Sequence, residues 1–273
     1  MSKQSSDAYG LAPGEILRID HLSMRFGGLK AVDDLSFSAL ENEIFGLIGP
    51  NGAGKTTVYN CITQFYRPTS GNVIFRTNKG DIRNLVGLKV HDIIRLGLVR
   101  TFQNVELIAE LSVIENVLVG ANIEFTATGF EQALQLPRAR REERLRREQA
   151  MEALEYIGIA DLAELPTGGQ PYGVRKKVEL ARALMCRPKL LILDEPAAGL
   201  NDRETDQLVE KISGIRENYG CTILLVEHDM GLIMNVCDRV CAISFGNLLA
   251  IGTPSEIQNN KIVQEAYLGE ETD

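Results

Sequence analysis

No apolar run in this chain approaches the ~18–20 residues needed to cross a bilayer, so no membrane-spanning helix is expected. The opening residues, Met1-Ser2-Lys3-Gln4-Ser5-Ser6-Asp7, lack the apolar stretch of a secretory signal. Cysteine is sparse: Cys61, Cys186, Cys221, Cys237 and Cys241 make five, an odd number, with no C-x-x-C pair. That argues against a disulfide framework or a thiolate metal site. It fits a reducing cytosol, where buried thiols act as small hydrophobes. An excess of positive charge is also missing. The formal net charge of −8 argues against a nucleic-acid partner. No internal repeat is present. The 273 residues, 44% hydrophobic and 24% charged, suit a soluble globular chain of one large domain or two small ones.

What is present is concentrated in Gly49–Thr57, which reads GPNGAGKTT. Gly49, Gly54, Lys55 and Thr56 satisfy G-x-x-x-x-G-K-[ST], directly after the apolar run Ile44-Phe45-Gly46-Leu47-Ile48. A strand, a glycine-rich turn and a helix start are the context that gives this motif meaning. Glycines let backbone N–H groups wrap a polyphosphate, and the helix points its positive end at the anion. Lys55 then reaches the terminal phosphates, and the Thr56 hydroxyl ligates Mg²⁺. The expectation is a nucleotide-binding protein.

The rest of the chain alternates in texture. Residues 1–14 read as a loose tail. From Ile16 to about Phe37, short apolar runs broken at Gly27-Gly28 and Asp33-Asp34 predict strands and a turn. Between about Val105 and Leu165 the chain becomes helix-like, with Leu107, Ile108, Leu111, Val113, Ile114, Val117 and Leu118 spaced for one apolar face. Within it, Arg138 to Arg147 holds six arginines, near Glu142, Glu143 and Glu148. Mixed signs at helical spacing read as a solvated helix surface. Then come a helix pattern over Lys176–Leu184, a strand over Leu190–Asp194, another helix, and a strand over Thr222–Glu227. Alternating helices and strands after a phosphate loop predict a mostly parallel sheet with helices on its faces.

Two of these strands deliver acids. Leu190–Leu193 is apolar and ends in Asp194-Glu195, at the carboxyl edge where ligands of such sheets bind. Asp194 is placed to organise Mg²⁺, directly or through water. Glu195 is a candidate general base or positioner of the attacking water. Thr222–Val226 ends in Glu227-His228-Asp229. His228 is a candidate to donate to the γ-phosphate or to sense its loss.

Together these motifs resemble the ATP-binding subunit of an ATP-binding-cassette (ABC) transporter, over nearly all of residues 15–270 and in the family's order. The resemblance makes Phe26 the aromatic that stacks on adenine, and Gly49–Thr57 the Walker A loop, with Asn51, Gly52, Gly54, Lys55, Thr56 and Thr57 binding nucleotide. Gln103 becomes the Q-loop glutamine, acting in catalysis and on the metal. Asp194-Glu195 ends Walker B, Ala198-Gly199-Leu200-Asn201 looks like the D-loop, and His228 like the switch histidine. The implied fold is an α/β P-loop NTPase cassette: a RecA-like, mostly parallel core, an antiparallel β subdomain and a helical subdomain. In residues, that is a tail (1–14), core and β subdomain (15–104), helical subdomain (105–180), core (181–255) and C-terminal helical extension (256–273).

The family's LSGGQ signature has two candidates here. Leu165-Pro166-Thr167-Gly168-Gly169-Gln170 looks like it on sight. The family, however, keeps a fixed interval between signature and Walker B, and counting back twenty residues from Asp194 lands on Val174. The register is therefore Gln170-Pro171-Tyr172-Gly173-Val174, and Thr167–Gln170 is a decoy. Pro171 stands where a serine is usual, Tyr172 replaces the first glycine, and Val174 the glutamine. Helix N-terminal amides at Tyr172 and Gly173 remain to bind phosphate.

Phe26–Val32, Thr101-Phe102-Gln103-Asn104, Asp194–Asn201, the charged helical insert and the ending from Gly252 resemble the ATPases of branched-chain (hydrophobic) amino-acid importers. Similar endings occur in urea-import and lipopolysaccharide-export ATPases, and a soluble ABC-type regulatory switch is the rival of another class. The resemblance implies ATP and Mg²⁺ as cofactors, and a second ATP-binding subunit, identical or related, that completes the site. It also implies transmembrane permease subunits as partners and a peripheral location on the cytoplasmic face of the membrane.

Overall fold

The structure, a computed structural model, describes residues 10–101, 106–121, 137–228 and 230–268. Its contacts divide the chain into two compact units.

The first unit comprises the described residues of Met1–Arg100, Lys189–Glu195 and Ile212–Asp273, and it holds two sheets. One is four-stranded and antiparallel, in the order β2-β1-β4-β5, built from β1 (Glu15–Phe26), β2 (Leu29–Leu40), β4 (Ser70–Arg76) and β5 (Ile82–Asn84). Gly27-Gly28 makes the β1–β2 turn, as expected. Asp33-Asp34 does not end a strand. Instead β2 continues through it as an irregularity, with Asp34 at a φ of 53° and its Oδ1 2.7 Å from His21 Nδ1.

The second sheet runs β10-β9-β3-β8-β7-β6. Its strands are β3 (Ile44–Ile48), β6 (Leu98–Arg100), β7 (Leu190–Asp194), β8 (Thr222–Val226), β9 (Arg239–Ser244) and β10 (Asn247–Gly252). All neighbours are parallel except the β9–β10 hairpin. Strands β3, β7 and β8 are buried along their whole length, which is why they read as unbroken apolar runs rather than alternating ones. Leu47 pairs with Val226, and Val226 with Asp194. The carboxyl ends of the three central strands therefore lie side by side.

The second unit, the described residues of Thr101–Pro188 and Pro196–Lys211, is helical. It contains α3 (Val113–Ala121), α4 (Pro137–Ile157), α5 (Tyr172–Leu184) and the start of α6 (Asp202–Tyr219). The apolar spacing from Leu107 predicted a helix there, but α3 begins only at Val113. Ser112 is the reason: its Oγ accepts from the Glu115 N–H at 3.3 Å, and the Glu115 carboxylate accepts from the Ser112 N–H at 2.8 Å. That reciprocal cap fixes the start.

Candidate functional site

The chain leaves β3 at Ile48 and turns through Gly49–Gly54 into α1 (Lys55–Ile62). A Cβ on Gly49 would sit 2.2 Å from the Ile243 carbonyl oxygen, and one on Gly54 2.5 Å from that of Ala31. Gly54 also caps α1 at a φ of 103°, which L side chains resist. The β9–β10 hairpin braces the turn: the Gly246 N–H donates to the Ala53 carbonyl at 2.8 Å. Lys55 is buried, and its Nζ donates to the carbonyls of Gly49 and, at 3.0 Å, Pro50. Asn51, Gly52 and Thr56 are exposed, and Thr57 is half-buried. A tight backbone ring at the positive end of a helix, with one lysine folded over it, suits a polyphosphate.

Phe26 ends β1, 43% exposed, with its ring edge-on to Tyr66 at 5.3 Å. It pairs with Leu29 at the start of β2, the strand whose Ala31 carbonyl abuts Gly54. An exposed ring on that hairpin is available to stack on a planar base.

The two adjacent acids have different surroundings. Asp194 is buried at the end of β7. Arg100 donates to its Oδ2 at 3.1 Å and to Asn60 Oδ1 at 2.6 Å, with the guanidinium 4.2 Å over the Tyr59 ring. The Tyr59 phenol feels both the Asp194 carboxylate and the Thr56 hydroxyl. Burial pushes the Asp194 carboxyl above the usual carboxylate range, against the pull of Tyr59 and Arg100. Burial likewise pushes the Tyr59 phenol up. A hydroxyl and a carboxylate are hard oxygen donors that fit Mg²⁺, an ion that takes few protein ligands and fills its shell with water and phosphate.

Glu195 turns away from the strand. Its φ is 45°, a left-handed conformation that costs a non-glycine residue ~1–3 kcal/mol and clusters at functional sites. Its N–H stays on the Val226 carbonyl at 2.9 Å, while its Oε1 lies 3.8 Å from His228 Nδ1. The buried Glu227 carboxylate is 3.9 Å from the same nitrogen. His228 itself is 58% exposed. The parallel strands thus bring the Gly49–Thr57 turn, Asp194-Glu195 and His228 to one edge.

Tyr172 and Gly173 belong to the second unit, where α5 starts at Tyr172 with Pro171 as a cap that offers no side-chain hydrogen bond. The Tyr172 ring covers Gly199: a Cβ on Gly199 would meet Cε1 at 3.0 Å. One on Gly173 would meet Glu204 Oε1 at 2.5 Å. Glu204 is in turn fixed by mutual capping with Asn201, at 3.0 and 3.1 Å. Thr167 is different in kind. It is buried, donates to the Leu111 carbonyl at 3.0 Å, and accepts from Asn116 Nδ2 at 2.8 Å.

Gln103 lies outside the described residues, as does Asp229. The sequence reading missed Arg100, Tyr59 and Asn60. Their signals were there: a charged residue closing the apolar run before the Gln103 segment, and polar side chains on the buried face of the helix after Lys55.

Residues 32–198 match the family model described as ABC transporter. Residues 247–273 match one for the branched-chain amino acid ATP-binding cassette transporter. The chain is 46% identical over 255 residues to the high-affinity branched-chain amino acid transport ATP-binding protein LivG of Salmonella typhimurium, covering 93% of this chain and 98% of that one. It is 44% identical to BraF of Pseudomonas aeruginosa with the same coverage. Identity to the lipopolysaccharide export ATP-binding protein LptB of Haemophilus influenzae is 30% over 256 residues, 94% of this chain and 98% of that one. The solved ADP conformation of MJ1267, an ATP-binding cassette of an ABC transporter, superposes with a TM-score of 0.80 at 29% identity, over 93% of this chain and 99% of that one. The cassette fold and the ordered strand ends have the same explanation: this chain belongs to the ABC transporter family, as one of its ATP-binding subunits.

Proposed function

We propose that this chain is the ATP-hydrolysing subunit of a system that imports branched-chain or other hydrophobic amino acids. The convergence of the Gly49–Thr57 turn, Asp194-Glu195 and His228 at one sheet edge carries the ATPase part of that reading. The greater identity to LivG and BraF than to LptB favours import of such amino acids over lipopolysaccharide export.

The roles follow from the environments. The turn and Lys55 hold the β- and γ-phosphates, and Phe26 stacks on the base. Thr56 and Asp194 would hold Mg²⁺, which would supply charge neutralisation at the phosphates, and by the family resemblance Gln103 would act on the same ion. Glu195, aimed out of the strand toward His228, orients the attacking water and takes its proton. His228 reports on the γ-phosphate. Tyr172 and Gly173 present the start of α5 to nucleotide held by a second ATP-binding subunit. Tight packing of Thr167 inside the helical unit supports Pro171–Gly173, rather than Thr167–Gln170, as that turn. Among the described residues no helix is long and apolar enough to cross a membrane. Its similarity to ATP-binding subunits of transporters supports a place at the cytoplasmic face beneath separate permeases.

The test is steady-state ATP hydrolysis together with copurification from membranes. Turnover in the wild type, loss of roughly 100-fold or more in Glu195→Gln, and recovery with integral-membrane permeases are expected. Full turnover in Glu195→Gln, or a chain that never associates with membrane proteins, contradicts the reading.

A further inference from the structure

Arg100, the last residue of β6, is almost wholly withdrawn from water. Its side chain is 11% exposed and that of Asp194 3%. The guanidinium donates to both Asp194 Oδ2 and Asn60 Oδ1, and its Cζ sits 4.2 Å from the centre of the Tyr59 ring. A planar fork with fixed donor directions does this; a lysine ammonium does not reproduce it. Tyr59 and Asn60 belong to α1, the helix that carries Thr56 in its first turn. One mostly buried cation therefore ties the end of β7 to the helix of the phosphate turn. The contact is made to Oδ2 of the Asp194 carboxylate.

We propose that Arg100 is a positioning residue for nucleotide-bound Mg²⁺: it fixes the Asp194 carboxylate relative to Thr56 so that both address one ion. The proposal rests on the reading of Thr56 and Asp194 as the metal-organising pair. Arg100 acts through Asp194, as groups that orient a ligating carboxylate do, and the loss of such a group weakens metal binding roughly 10–100-fold. A guanidinium this close to the carboxylate also repels a divalent cation. The sign of the effect therefore separates positioning from competition.

The experiment is equilibrium binding of Mn²⁺ to the full chain saturated with ADP, read as loss of the free-Mn²⁺ paramagnetic resonance signal. Wild type, Arg100→Met, Arg100→Lys and Asp194→Asn are compared, with ADP affinity in EDTA measured alongside. Both Arg100 variants are expected to bind Mn²⁺ roughly tenfold or more weakly, with ADP affinity in EDTA unchanged and no rescue by lysine. Should Arg100→Met fail to fold, Arg100→Lys retains the buried charge and carries the test. Unchanged or tighter Mn²⁺ binding in the Arg100 variants, beside a weakened Asp194→Asn, overturns the proposal alone. Unchanged binding in Asp194→Asn as well removes the metal-organising pair, and the proposal with it.

Discussion

Two glycine-bearing turns of this chain are held by different means. Gly49–Gly54 is held by its backbone: carbonyls of Ile243 and Ala31 press where side chains would be, and the β9–β10 hairpin bonds to Ala53. Pro171–Gly173 is held by side chains: Tyr172 over Gly199, and Glu204 against Gly173. Backbone constraints leave a strict residue pattern, because only glycine satisfies them. Side-chain packing leaves a looser one, because several residues can fill the same space. That is why the first turn matches its motif in full while the second, in the proposed register, departs from LSGGQ at four positions.

The largest effect belongs to the backbone-held turn. Lys55→Ala is expected to weaken ATP binding roughly 10–150-fold, since a charged hydrogen bond carries ~1.5–3 kcal/mol; titration with a fluorescent ATP analogue checks it. Gly54→Ala follows. Its Cβ cannot avoid the Ala31 carbonyl, and ~1–3 kcal/mol of strain should lower Tm by several degrees as well as weaken nucleotide binding. Unaltered Tm would mean that the backbone of the turn yields.

The second turn should be more forgiving. Thr167→Val removes a buried hydroxyl with two partners and is expected to cost ~1–3 kcal/mol of stability, with ATP-dependent pairing intact in the folded protein. Loss of pairing without loss of stability would restore Thr167–Gln170 as the signature. Gly199→Ala, at a φ of 78°, is expected to cost ~1–2 kcal/mol, and Tyr172→Gly should relieve the part due to the ring. A thermal-unfolding double-mutant cycle measures that coupling. The smallest change is Pro171→Ser. A serine cap where the helix now has none should add ~0.5–1 kcal/mol, seen as a slight rise in Tm.

The same contrast explains what was legible in the sequence. Ile44–Ile48, Leu190–Asp194 and Thr222–Val226 could be read because strands buried on both faces leave continuous apolar runs, and the charged ends of the last two mark the site edge. The start of α3 was misplaced because apolar spacing extends past a cap, and Ser112 and Glu115 outweigh it. Asp33-Asp34 looked like a break because a strand irregularity and a turn share residue types. Arg100 stayed hidden because its role depends on Asn60, forty residues away, and Asp194, ninety-four away. No local pattern encodes such a pairing.

The most direct test is size-exclusion chromatography of Glu195→Gln with and without ATP and Mg²⁺, beside hydrolysis by the wild type. A shift to a dimer is expected with ATP alone or with a related ATP-binding subunit added, and turnover only in the wild type. A Glu195→Gln variant that binds ATP yet stays monomeric in both mixtures would contradict a site completed by Tyr172 and Gly173 of a second subunit.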